Sequence, residues 1–294
     1  MLEEVLKVLS PQNNSNYIDA TFGAGGHTRA ILESPSNCRV IGIDRDPTVK
    51  IFAENLQNEF PNRLQFINAK FSSIKEVAGS QQISGVLFDI GVSSMQINNP
   101  ERGFSFMKDG PLTMTMGDNE ISAYDVINHY SEDEIASILW ECGEEKQSNK
   151  IAQAICKYRK ISPIKTTLEL AEIVKLVVHK RGKIHPATLT FQAIRVFVNN
   201  ELKELAKGLK DAIEFIEVGG KIVIITFQGL EDKIVKDIFK QYTYKSHTNK
   251  FKEQAIHDKL FQNVTKNVLK PSKYEIKRNL RARSAKIRAV IRTK

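Results

Sequence analysis

Residues 17–46, YIDATFGAGGHTRAILESPSNCRVIGIDRD, restrict the fold more than any other stretch of the chain. They read as a short strand (17–20), a glycine loop carrying Gly23, Gly25 and Gly26, a helix, and a second strand (39–43) ending at Asp44. That order is one βαβ unit. Glycine permits positive φ and leaves no Cβ in the way of a ligand, while the helix N-terminus behind the loop offers free N–H groups. An acid about twenty residues after such a loop is placed to accept hydrogen bonds from both hydroxyls of a ribose. The unit predicts a nucleoside-containing cofactor.

Two cofactor classes fit. A dinucleotide wants G-x-G-x-x-G with its pyrophosphate on the helix N-terminus. Here the loop is G-A-G-G-H, and the third glycine of that fingerprint falls on Thr28. S-adenosylmethionine (SAM) also has a ribose and an adenine but an amino acid in place of the pyrophosphate, and a shorter loop entered by D-A-T-F suits it better. A turn whose glycines serve geometry alone is the competing explanation. The cluster Asp44-Arg45-Asp46 just past an apolar strand argues against it, because burying such groups without a ligand is costly. SAM is the favoured reading.

The wider composition sets bounds. At 294 residues, 41% hydrophobic and 26% charged, the chain can bury a full core in one large domain or two. Cys38, Cys142 and Cys156 are scattered and odd in number, so neither a disulfide framework nor a metal site is indicated, and a reducing cytoplasm suits them. No apolar run is long enough to span a bilayer, and MLEEVLKVLS reads as an amphipathic helix rather than a signal peptide. The net charge of +9 is concentrated late: residues 271–294 hold nine Lys or Arg, with Glu275 as their only acid. Ile287, Ala289 and Ile291 alternate there with Arg288, Val290 and Arg292, the pattern of a strand with one basic face. Nucleic acid is the expected partner of such a surface.

Along the chain, a helix over 48–59, a strand over 64–68, a loop from Phe71 and a strand over 83–89 continue the alternation of a parallel, doubly wound α/β sheet. Ligands bind such sheets outside the carboxyl ends of the strands, where Asp44, Phe71 and Asp89 all fall. Residues 99–118 form a long loop without a clear period, a length that suggests function or a domain crossing. Helical periods follow over 133–140, 149–160, 167–179 and 187–204. Ser131 with Glu134, and Thr166 with Glu169, have capping-box spacing. A strand over 219–226, a helix over 230–240, a polar stretch and the basic strand complete the chain.

The segments DATFGAGGHTRAIL, IGIDRDP, DIGVSSMQI, ERGFSFMKDGPL, HPATLTFQAIR, GGKIVIITFQGLEDKIVK and RARSAKIR occur in that order. Together they resemble the bacterial small-subunit ribosomal RNA (cytosine-N4) methyltransferases of the MraW/RsmH type, over essentially the whole chain. The resemblance implies a class I SAM-dependent methyltransferase domain, residues 1–100 and 205–294, interrupted by an all-helical substrate-recognition domain, residues 101–204. It implies methylation of the exocyclic N4 of a cytosine in the decoding region of 16S rRNA, with the small ribosomal subunit as partner. Gly25, Gly26 and His27 would meet the methionine end of SAM and Asp44 the ribose. Phe71 would lie on the adenine side, with Asp89 and Gln96 lining the cofactor.

A cytosine amine is a poor nucleophile because its lone pair is delocalised into the ring. An enzyme helps by accepting hydrogen bonds from its N–H groups and aligning it with the methyl. Asp89, or a backbone carbonyl beside it, is the candidate acceptor, with Ser93 and Ser94 nearby; the alternative is that Asp89 contacts only SAM and the serines hold the loop. Arg281, Arg283, Lys286 and Arg288 are candidates for phosphate contacts, and Arg102 and Lys108 for contacts near the target nucleotide. Departures from the family pattern fall at Thr113 and Thr115 (where GPLDMRM is usual), at Gln228 and Gly229 (SFHSLED) and at Leu189. They motivate a rival reading, a SAM- and RNA-binding assembly factor with weak or no methyl transfer. A small-molecule methyltransferase would need neither the basic tail nor the helical insert. The sequence leaves the oligomeric state open, a homodimer included.

Overall fold

The structure, a computed structural model, describes residues 1–34, 37–179, 185–243, 260–265 and 267–294. The polar stretch read after residue 240 lies largely outside them. Met1–Gly91 and Leu202–Lys294 form one compact unit, and Val92–Glu201 a second.

The first unit is built on β1 (Asn16–Asp19), β2 (Arg39–Asp44), β3 (Leu64–Asn68), β4 (Gly85–Asp89), β5 (Lys221–Thr226), β6 (Phe261–Asn263) and β7 (Lys286–Arg292). They make one sheet in the order β3-β2-β1-β4-β5-β7-β6. β1 to β5 are parallel, β7 runs antiparallel to β5, and β6 runs antiparallel to β7. The expected doubly wound α/β class is present, and strand order reverses direction between β1 and β4, the kind of crevice that takes ligands.

The apolar runs become strands here because both faces of the sheet are covered. On one face Ile41, Ile43, Val86, Phe88, Ile222 and Ile224 share a cluster with residues of α4 (Ile74–Ala78), α11 (Glu201–Phe215) and α12 (Gly229–Thr243). On the other, Tyr17, Val40, Leu87 and Val223 are equally buried, beside α1 (Leu2–Leu9) and α2 (Gly26–Glu33). Each such aliphatic side chain taken out of water stabilises the unit by about 1.5–3 kcal/mol before the entropy of ordering is counted. α3 (Lys50–Glu59) and α13 (Lys273–Arg278) complete the α-helices of this unit among the described residues.

The second unit holds α5 (Ser94–Asn98), α6 (Ala123–His129), α7 (Glu132–Gly143), α8 (Ser148–Arg159), α9 (Thr167–Val177) and α10 (Thr188–Val198). Both expected capping boxes form, at Ser131/Glu134 and Thr166/Glu169, and a third opens α6 at Ser122/Asp125. Ile135 and Leu139, Ile151 and Ile155, and Leu170 and Val174 point i,i+4 pairs from three helices into a core of their own.

Two expectations change in detail. The helix read over 187–204 is interrupted at Asn199-Asn200, where Asn200 has φ 53°. Asn199 is buried, and its amide donates to the Met114 and Arg195 carbonyls while accepting from Met116 N–H. Such anchoring competes with helix continuation, and Asn tolerates the left-handed conformation.

The loop over 99–118 is packed rather than open. Leu112, Met114 and Met116 are buried in the helical core or against it. A Cβ on Gly103, at φ +66°, would stand 2.2 Å from the Pro111 carbonyl oxygen. Thr113 Oγ1 donates to the Arg102 carbonyl at 2.8 Å, and Arg102 Nη2 donates to the Thr115 carbonyl at 2.8 Å. Of the two threonines that depart from the family pattern, Thr113 thus holds this loop with its side chain, while Thr115 contributes only its backbone carbonyl.

Candidate cofactor site at the carboxyl edge of the sheet

Three neighbouring strands of the first unit end in an acid: β1 in Asp19, β2 in Asp44 and β4 in Asp89. The glycine loop leaves β1 between them. Gly25 caps α2 with φ 76°, and a Cβ there would meet the Phe22 ring at 2.9 Å, so only glycine closes this turn without strain. Gly26 differs: a Cβ there would meet nothing within 4 Å, which leaves clear space over the first turn of α2.

Asp44 is held from both sides by backbone. Its Oδ2 accepts from Gly23 N–H at 2.7 Å and its Oδ1 from Asp46 N–H at 2.9 Å. Burial pushes its pKa up to about 6, against the pull of those two amides. Each oxygen keeps a further lone pair, as a ribose diol requires.

Asp19 is fully buried, accepting from Thr28 Oγ1 at 2.7 Å and Thr21 N–H at 3.2 Å; burial again raises its pKa. Thr28, where a dinucleotide loop would have its third glycine, is therefore occupied in holding the strand end.

His27 Nε2 lies 3.4 Å from Asp89 Oδ2. Burial alone would lower the histidine pKa, but the hydrogen bond and charge of Asp89 outweigh it and the pKa is raised. The Asp89 backbone N–H donates to Thr21 Oγ1 at 2.7 Å, tying the end of β4 to the glycine loop. His27 Nδ1 and Asp89 Oδ1 are buried with no hydrogen-bond partner among the described residues, and so are Thr226 Oγ1 and Gln228 Oε1 at the end of β5. An orphaned buried polar atom costs about 1–3 kcal/mol, and a protein keeps several together where a ligand satisfies them. Carboxylates gathered at one edge favour a cationic ligand over a pyrophosphate, so the residues fit SAM, whose sulfonium and ammonium groups are both positive.

The remaining candidates fall in several places. Phe71 opens a short turn after β3 at the same edge, packs edge-on against Phe88 with centroids 5.9 Å apart, and lies against Gly208. Ser93 and Gln96 belong to the second unit, where they form the capping box of α5, with Ser93 Oγ accepting from Gln96 N–H and Gln96 Oε1 from Ser93 N–H. Ser94 is exposed in the first turn of that helix. Arg102 stacks over Phe104 besides its bond to Thr115, and Lys108 is exposed.

In the basic strand, Lys286 and Arg288 both pair with Asp232, at 3.0 and 2.7 Å, so this part of the basic face is bound to α12. Arg281 and Arg283 are exposed in the turn before β7. Sequence reasoning assigned no role to Asp19, Thr21, Thr28 or Thr226. Asp19 carried the same signal as Asp44 and Asp89, an acid closing an apolar strand; the threonines carried none.

Compared with known proteins, the chain matches the MraW methylase family over residues 1–293. Relatives named ribosomal RNA small subunit methyltransferase H align along nearly their whole length. That of Ehrlichia canis (strain Jake) is 48% identical over 298 residues, covering 99% of this chain and 98% of the relative. That of Wolbachia pipientis subsp. Culex pipiens (strain wPip) is 47% identical over 297 residues, covering 99% and 97%. That of Parvibaculum lavamentivorans (strain DS-1) is 44% identical over 302 residues, covering 100% and 88%. With a glycine loop, three acid-tipped strands and a match running from end to end, the chain belongs to the MraW methylase family.

Proposed function

We propose that this protein is a SAM-dependent methyltransferase acting on the exocyclic N4 of a cytosine in the decoding region of small-subunit ribosomal RNA. The observation that carries the reading is the group of orphaned buried polar atoms beside acid-tipped strands, in a chain that matches its family from end to end. SAM, when bound, supplies a methyl group on a sulfonium sulfur. The chain's own residues do the rest. Asp44 accepts from the ribose hydroxyls, the open space over Gly26 admits the methionine end beside Gly23, and His27 Nδ1 donates to its carboxylate. Phe71 borders the adenine. Asp89 Oδ1 accepts from the target amine, localising the nitrogen lone pair and taking up the proton that the amine must lose. Ser93 and Ser94 hold the loop that follows.

The target nucleotide is splayed out of its stack to reach this edge, as base-modifying enzymes require. The helical unit recognises RNA by shape, with Arg102 and Lys108 on its loop, while Arg281 and Arg283 meet phosphates. Lys286 and Arg288 contribute there through a positive surface already partly neutralised by Asp232. A ribosomal substrate puts the work in the cytoplasm, and no helix among the described residues is long and apolar enough to cross a membrane. The assembly-factor reading loses force at Thr113, whose hydroxyl has structural work in the 99–118 loop.

The test is transfer of labelled methyl from SAM to small subunits isolated from cells lacking this gene, followed by nucleoside analysis. N4-methylcytidine at one site is expected. SAM binding without transfer would overturn the reading in favour of the assembly factor. Asp89→Asn, with cofactor affinity measured alongside the single-turnover rate, separates its two assigned roles.

A further inference from the structure

The exits of β4 and β5 lie side by side. Asp89 pairs with Ile225, Ile90 N–H donates to the Ile225 carbonyl at 3.0 Å, and a Cβ built on Gly91 would stand 3.6 Å from the Phe227 ring. Beyond this junction the chain turns into α12, and the turn is pinned from below. Phe227 and Gln228 N–H both donate to Oε2 of the buried Glu231, at 2.8 and 3.1 Å. The root of the Gln228 side chain is therefore fixed, while its amide oxygen is buried with no partner among the described residues. The Asp89 carboxylate supplies one acceptor to this edge, and a cytosine amine presents two N–H groups.

We infer that Gln228 is a second substrate contact, its Oε1 accepting a hydrogen bond from the exocyclic amine of the target cytosine. The assignment rests on the cytosine-N4 reading given above. Two acceptors, one on each strand exit, fix both N–H vectors and so orient the nitrogen lone pair, which neither does alone. The position also contributes to base choice. Uracil offers O4 where cytosine offers N–H, and an amide oxygen facing O4 is repelled unless the amide turns over. Glutamate at 228 has no N–H to turn. Leucine offers neither polar group.

The experiment is a double-mutant cycle on binding. Small subunits reconstituted with the target cytosine, or with uridine in its place, are titrated with the full-length protein saturated with S-adenosylhomocysteine. The wild type is expected to bind the cytosine form about tenfold more tightly, Gln228→Leu to prefer it by about twofold or less, and Gln228→Glu at least as strongly as the wild type. An apolar variant that keeps the wild-type preference overturns the inference, and so does one that loses S-adenosylhomocysteine binding, which would place Gln228 on the cofactor instead. If Gln228→Leu does not fold by circular dichroism, the longer Gln228→Met takes its place with the same expectations. Failure of the cytosine-N4 reading shows separately, as wild-type protein that leaves no N4-methylcytidine on the subunits, and it withdraws this assignment with it.

Discussion

Asp44→Asn should gain stability relative to the wild type as pH rises from 4.5 to 7.5, while weakening the cofactor site. Burial raises the Asp44 pKa from 3.8 to about 6. At about 1.4 kcal/mol per unit, keeping the group ionised costs the folded state about 3 kcal/mol at pH 7.5. The sign follows from linkage: an acid whose folded pKa lies above its unfolded one costs nothing below about pH 3.8, increasingly more up to about 6, and a constant amount above. At pH 4.5 the same arithmetic leaves about 1 kcal/mol.

Asparagine escapes this pH-dependent cost, but its NH2 cannot accept from one of the two backbone N–H groups that the carboxylate holds, a penalty of about 1–3 kcal/mol at either pH. The gap between variant and wild type should therefore move by about 2 kcal/mol in the variant's favour from pH 4.5 to 7.5. Denaturant unfolding at the two pH values measures it, read by far-UV circular dichroism. The single tryptophan, Trp140, lies in α7 of the helical unit and would report on that unit instead. SAM affinity should fall about 10- to 100-fold, the worth of hydrogen bonds to a charged group. A gap of equal size at both pH values would refute the reasoning.

Gly26→Ala should fold normally, because its Cβ meets nothing, yet bind SAM at least tenfold more weakly by calorimetry; Gly25→Ala should lose stability as well, by about 1–3 kcal/mol, from positive φ and collision with Phe22. For the wild type, SAM affinity should drop about tenfold per pH unit below pH 6, because Asp44 accepts from the ribose only when ionised. In the helical unit, Arg195 and Glu201 form a buried bidentate pair at 2.8 and 2.9 Å. Arg195→Met should cost about 3–5 kcal/mol in that unit, by Trp140 fluorescence, because it strands a carboxylate.

How much of this was legible in the sequence depends on how local the cause is. Strands ending in Asp44 and Asp89 were readable because an apolar run closed by an acid is a signal within one segment, and the capping boxes at Ser131 and Thr166 are equally local. The break at Asn199 was not: its amide is claimed by Met114 and Met116, more than eighty residues earlier. Lys286 and Arg288 read as a free basic face because Asp232, more than fifty residues before them, cannot be matched to them from spacing alone. β6 is too short to carry a period. Gln228 looked like a departure from a motif, and only the burial of its oxygen gives it a task.

The sheet is completed late in the life of the chain. β4 pairs with β1 on one side and β5 on the other, but β5 begins about 130 residues after β4 ends. At synthesis rates of about 5–20 residues per second, the growing polypeptide spends on the order of ten seconds with Gly85–Asp89 as a raw edge of apolar backbone. Closing so long a loop from an unfolded chain would also cost entropy that grows with its logarithm. A helical segment with its own core shortens that loop in effect, if it collapses before Lys221 emerges. Val92–Glu201 would then be an aid to birth as well as to whatever it does in the finished protein, and nascent chains stalled just before it should be the ones most in need of a chaperone.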